Sequence, residues 1–293
     1  MLNSLRTTEL DEEIGEYQRN IRQWNSMAAG SDELEPLSPV SPRRSADALP
    51  ALQEINTLFR ISFAALAANT ARSEPAAPHG SGPALDALAE RLEPRTVKIF
   101  LDKGRENPPP FVKGLLLSHN GWTLTVQHPF SLTEQEIERV YATIPGREGR
   151  FPMELRGGFS ETNLLLVKFE LPFEVKSAAI PTLFAAAEPS QTAYLAADGK
   201  LRKLRIVDTE RELMLGDKKV FRSNLIADTD ADLSDVVSGS PLLNEAGEIL
   251  GLYYLQSEVR GINGFATPRE LPSRIAGLIA RYQRQLSTPY LTR

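Results

Sequence analysis

The stretch that decides the fold is DTDADLSDVVSGSPLLNEAGEILGLYY, residues 228–254. A Ser-Gly-Ser-Pro turn, residues 238–241, separates an acidic loop from two short apolar runs. The runs PLLN and EILGLYYL have strand length and strand composition, and the Gly between them marks a turn. Ser238 is therefore either a small residue in a tight turn or a nucleophile presented at the mouth of a β-structure.

Working outward, the chain from about residue 96 reads as a series of short strands. TVKIFLD, GLLLS, WTLTVQH, NLLLVKFEL, TAYLAA, KLRIV and NLIAD are rich in Val, Ile, Leu and aromatics and are separated by turn residues. Asn120-Gly121 between GLLLS and WTLTV is a hairpin signal, because Asn and Gly tolerate the positive φ such turns require. Many short strands at this spacing indicate a barrel or sandwich. A helix, PRELPSRIAGLIARYQRQL, follows the last strand.

The first 95 residues read differently. TELDEEIGEYQRNIRQWNSM, residues 8–27, is expected as a helix starting at Thr8, with Leu10, Ile14, Tyr17, Ile21 and Trp24 on one apolar stripe. A second helix is expected over about 50–72 and a short third over 83–94, with Pro/Ser-rich segments at 33–50 and 73–83 read as linkers. The stripe needs a cover, which the second helix, the barrels or another protein would supply. The domain expectation is a helical region over 1–95, a β-domain with its terminal helix over 96–285, and a tail over 286–293.

Composition narrows the function classes. The 293 residues are 41% hydrophobic and 24% charged, with a formal net charge of -5. Those values suit a globular protein, and a nucleic-acid partner is not expected without a basic face. There is no cysteine, which excludes disulfides and thiolate chemistry. The longest apolar segment, ISFAALAA at 61–68, falls well short of the ~20 residues of a membrane span. A cytoplasmic protein without membrane contact is the resulting expectation. Neither a phosphate-binding glycine loop nor metal-ligand spacing occurs, so no cofactor and no metal are expected.

Of the three histidines, His79 lies in a linker and His119 at a hairpin turn. His128 ends the strand WTLTVQH. GLLLSHNGWTLTVQH resembles the trypsin-like serine peptidases, whose general-base histidine ends such a strand. SGSPLLNEAGEILGL resembles the Gly-x-Ser-Gly-Gly-Pro block around their nucleophile. TDADLSD and GFATPRELPSRIAGLI are similar to the high-temperature-requirement branch. The blocks span roughly 96–285 in the family's chain order.

The resemblance implies a mainly β fold: two antiparallel β-barrels of trypsin-like type and a C-terminal helix, here preceded by an α-helical N-terminal region. It implies a serine endopeptidase acting on protein or peptide substrates, with Ser238 as nucleophile and His128 as general base. Backbone N–H groups of Val236 and Ser238 would form the oxyanion hole, and Asp232 would stand near the specificity pocket.

Two positions depart from the pattern. Where the family has aspartate before an apolar strand, ETNLLLVKF has Asn163, with Glu161 two residues earlier as an alternative acid. In this fold, the Asp-to-Asn change costs about 10⁴-fold in turnover. Val236 stands where the family has the oxyanion glycine, and a β-branched residue resists positive φ. The alternative implied is a catalytically impaired pseudoprotease that binds peptides or proteins, with the N-terminal helices as a docking or autoinhibitory segment.

Overall fold

The computed structural model describes residues 2–32, 34–42, 44–70, 92, 95–102, 109–130, 139–159, 163–173, 184–197, 199–215, 219–227, 233–257 and 262–287. It divides into two compact units, one of residues 1–66 and 270–293 and one of residues 67–269.

The larger unit holds twelve strands in two closed antiparallel barrels. The first comprises β1 (Thr96–Leu101), β2 (Val112–Leu116), β3 (Trp122–Val126), β4 (Val140–Thr143), β5 (Phe151–Phe159) and β6 (Leu164–Phe169), in spatial order β1-β2-β3-β6-β5-β4. The second comprises β7 (Thr192–Ala197), β8 (Lys200–Leu215), β9 (Lys219–Ala227), β10 (Pro241–Leu243), β11 (Ile249–Ser257) and β12 (Ile262–Ala266), in order β10-β11-β12-β9-β8-β7. Closure pairs every strand on both sides over at least part of its length. The mainly β, double-barrel expectation therefore holds.

Alternation explains the barrel walls. Val97, Ile99 and Leu101 of β1 are buried while Lys98 between them is exposed. The expected hairpin joins β2 to β3, with Leu115 opposite Leu124. Its Gly121 has φ 101°, and a Cβ there would lie 2.3 Å from the Phe169 carbonyl oxygen. Only glycine satisfies both the backbone angle and the close approach. The second barrel is filled by Leu195, Leu225, Leu242 and Phe265, among others.

The smaller unit contains α1 (Leu2–Ala28), α2 (Leu49–Thr70) and α3 (Leu271–Ser287). α1 begins six residues before Thr8, so Thr8 lies inside the helix rather than capping it. The stripe residues Leu10, Ile14, Tyr17, Ile21 and Trp24 are all buried. Trp24 meets Phe59 of α2 edge-on at 6.1 Å.

Residues 34–42 form neither helix nor strand, in keeping with their prolines, but they are pinned rather than free. Asn25 grips Leu37 twice, donating to its carbonyl at 2.9 Å and accepting from its N–H at 2.8 Å. The Trp24 indole donates to the Glu35 carbonyl, and the Tyr17 hydroxyl accepts from Val40. Gln283 of α3 completes the clamp by donating to Tyr17 Oη and to the Ser38 carbonyl. Most of the short helix expected over 83–94 lies outside the described residues.

Candidate active site between the barrels

His128 opens a single 3-10 turn, His128–Phe130, directly after β3. Asn163 stands immediately before β6, the strand paired to β3. It has φ 55°, a left-handed conformation that Asn tolerates better than most residues. Its side chain is fully buried. The Asn163 carbonyl accepts from the Gln127 N–H at 2.8 Å, and Oδ1 accepts from the His128 N–H at 2.8 Å. The structure thus brings His128 and Asn163 together.

The contact to the ring has the opposite polarity from the one a triad needs. With Oδ1 committed to the His128 backbone, Nδ2 of Asn163 lies 3.2 Å from the imidazole Nδ1. An amide NH2 only donates, so Nδ1 must present its lone pair. A neutral imidazole carries one proton, which is then on Nε2. That leaves no lone pair on Nε2 to receive a proton from a serine. An imidazolium would set N–H against N–H at Nδ1.

Ser238 lies in the turn leading into β10 and is half-buried. The turn is built by close backbone approach between the barrels. The Ser238 carbonyl accepts from the Lys113 N–H of β2 at 2.8 Å. Gly239 has φ 88°, and a Cβ there would lie 1.8 Å from the Lys113 carbonyl oxygen. The Gly239 N–H donates to the Tyr253 carbonyl at 2.7 Å, and the Tyr253 N–H donates to the Ser240 carbonyl at 2.9 Å. Ser240 Oγ ties back to the Val237 carbonyl at 2.8 Å. The loop is anchored upstream by an exposed Asp235–Arg202 ion pair, whose hydrogen bond holds the Asp235 carboxyl below its usual range.

Val236 is engaged twice. Its N–H donates to the Leu233 carbonyl at 2.9 Å, closing a turn over 233–236. Its side chain belongs to the second barrel's core cluster. Positive φ among described non-glycine residues occurs at Asn163 and Ser190, not at Val236. The amide expected to face an oxyanion is therefore held in a turn, and the buried isopropyl group resists turning it outward.

Tyr254 of β11 is a site residue that the sequence reading passed over. It is buried, and its ring lies 6.0 Å from the His128 ring. Burial raises its phenol pKa above the ordinary value. Tyr253 fills the second barrel's core, and Tyr254 follows it at a register irregularity between β11 and β12. Glu161 and Asp232 lie outside the described residues, as does His79. His119 sits at the β2–β3 hairpin, between Ser118 and Asn120.

Two antiparallel barrels of six strands, with the histidine turn from one and the serine turn from the other, define the trypsin-like serine protease fold. The chain is similar to the MamO protease domain from Magnetospirillum magneticum at 18% identity, over 62% of this chain and 95% of that one, with a TM-score of 0.50. It is similar to Deg5 at 15% identity, over 63% and 89% of the two chains, also with a TM-score of 0.50. These likenesses concern the fold. Neither a protein-family profile nor a curated protein matches the sequence.

Proposed function

We propose that this chain is a catalytically impaired trypsin-fold protein that uses the cleft beside His128 and Ser238 to bind an extended protein or peptide segment. The observation that carries the reading is the donor contact from Asn163 to His128 Nδ1 at 3.2 Å. It favours the imidazole tautomer that cannot activate Ser238. The turn that engages the Val236 N–H adds an independent loss, because one missing oxyanion donor typically costs about 10²–10³-fold.

Binding needs neither feature. β10 covers β11 only from Ile249 to Leu252, whereas β11 pairs with β12 as far as Ser257. From Leu255 to Ser257, β11 is thus paired with β12 alone among the described strands, which suits addition of an extended peptide.

A second reading, a working serine endopeptidase, is favoured by one feature. The Ser238-Gly239 turn keeps the tight geometry that a nucleophile at this position needs, with Gly239 at φ 88°. Labelling with a fluorophosphonate separates the two. The binding reading expects no labelling of Ser238 in the wild type between pH 6 and 9, and labelling in Asn163→Asp. Wild-type labelling at Ser238 that disappears in His128→Ala would establish the endopeptidase. β-Casein, an unstructured polypeptide, serves as the binding probe: protection of the amides of residues 255–257 from hydrogen exchange is expected, and its absence at saturating casein removes the proposed cleft.

A further inference from the structure

A cavity of about 310 Å³ opens between the barrels and is lined in part by Thr96, Lys98, Lys113, Thr143, Arg147 and Lys200. Four of these are cations, and none of the described lining residues is acidic. Among the described lining residues this is an excess of positive charge, on a chain whose formal net charge is -5.

Strand register builds this excess. Lys98 of β1 lies directly opposite Lys113 of β2 on one side and Thr143 of β4 on the other. Residues directly opposite in an antiparallel pair share a face, and like charges there destabilise the pair. Alternation puts Thr96 on the same outward face of β1. Lys113 is buried at 3% exposure and makes further interactions of its own, while Lys98, Arg147 and Lys200 are exposed around it. Arg147 is held over the Phe173 ring at 5.0 Å, and Lys200 begins β8 on the second barrel. Ile144 and Ala197 supply an apolar wall.

We propose that this cavity is a binding site for a small phosphate-bearing anion. Three exposed cations converge from two barrels, the Thr143 hydroxyl stands beside them while the Thr96 hydroxyl donates to the Leu92 carbonyl, and the volume lies at the small end of ligand pockets. Lysine and arginine with hydroxyl donors are the ordinary means of holding phosphate oxygens. An anion that binds only the folded cavity would stabilise the larger unit.

The test uses pyrophosphate as the probe on the full chain, by calorimetric titration and thermal denaturation, with sodium chloride at matched ionic strength as the control. Pyrophosphate is expected to bind the wild type and raise its Tm beyond the effect of chloride. Lys98→Gln/Lys200→Gln is expected to weaken binding at least 10-fold, whereas Arg281→Gln, an exposed charge change on α3 outside the cavity, leaves it unchanged. Orthophosphate and a phosphomonoester in parallel titrations identify whether a single phosphate suffices. No pyrophosphate binding, a Tm shift that chloride reproduces, or equal affinity in the double variant would each overturn the proposal.

Discussion

Asn163 presents a donor, Nδ2, 3.2 Å from the His128 Nδ1, while its Oδ1 accepts from the His128 N–H at 2.8 Å. The two contacts reinforce each other. The backbone N–H can only donate, so it fixes the amide oxygen and forces the nitrogen toward the ring. Reversing the amide would lose one good hydrogen bond and leave that buried donor facing another.

The first expected outcome concerns the acid position. Asn163→Asp replaces the donor at Nδ1 with an acceptor while keeping an oxygen for the His128 N–H. Its fluorophosphonate labelling rate at Ser238 should exceed that of the wild type by at least about 10²-fold, within the 10⁴-fold range associated with this exchange. An unchanged rate would mean that Asn163 is not what limits Ser238.

Val236 should limit the same site independently. Val236→Gly in the Asn163→Asp background removes a core side chain and frees the backbone to turn, so labelling should rise again by about 10-fold or more. The same substitution in the wild-type background should have little effect, because His128 still lacks a lone pair at Nε2. Equal gains in both backgrounds would contradict the two-defect account.

Gly239 lets the Ser238 turn pack closely on β2, beside the hydrogen bond from the Lys113 N–H to the Ser238 carbonyl. A Cβ would lie 1.8 Å from the Lys113 carbonyl oxygen at φ 88°. Gly239→Ala should therefore destabilise the larger unit by more than the roughly 1–3 kcal/mol of a strained backbone angle. Urea denaturation reads the loss; a change below about 1 kcal/mol would show that the barrels approach less closely here.

Asn25 holds the 34–42 segment through two hydrogen bonds to Leu37. Asn25→Ala should cost about 1–3 kcal/mol and raise hydrogen exchange at the Leu37 amide. Unchanged exchange would indicate that Leu34 and Leu37 burial alone keeps the segment in place.

Tyr254 gives a pH signature. Burial raises its pKa in the folded state, so the unfolded chain loses the phenol proton first as pH rises above about 10. The folded state then binds more protons than the unfolded state, and stability falls with rising pH. This contribution is fully present below pH 10 and is lost above it. Tyr254→Phe should therefore lose less stability than the wild type between pH 9 and 11, measured by urea denaturation at each pH. Parallel curves would show that the phenol ionises alike in both states.

Much of the barrel architecture was legible because β2, β3, β6 and β7 are short apolar runs bounded by turn residues. β4 and β5 were not. Val140–Thr143 is only four residues long, and Phe151–Phe159 contains Pro152 and the pair Gly157-Gly158. Their pairing comes from barrel closure, not from local propensity. β8 was read as five residues and spans sixteen, because three register irregularities against β9 interrupt its alternation.

The site was legible as positions but not as polarity. His128, Asn163 and Ser238 lie at the motif places, and the asparagine was visible as a departure. The direction of its amide depends on the His128 N–H, a backbone group with no trace in residue types. The Leu233 carbonyl that engages the Val236 N–H is equally invisible in sequence. Tyr254 was hidden by its neighbours, since a tyrosine in an apolar run reads as core.

The most direct test is the tautomer of His128, read from imidazole ¹⁵N shifts and couplings in the full-length protein above the pH at which the ring is neutral. The account expects the proton on Nε2 and a bare Nδ1, with the pattern reversed in Asn163→Asp. A wild-type ring protonated at Nδ1, with a bare Nε2, would contradict it.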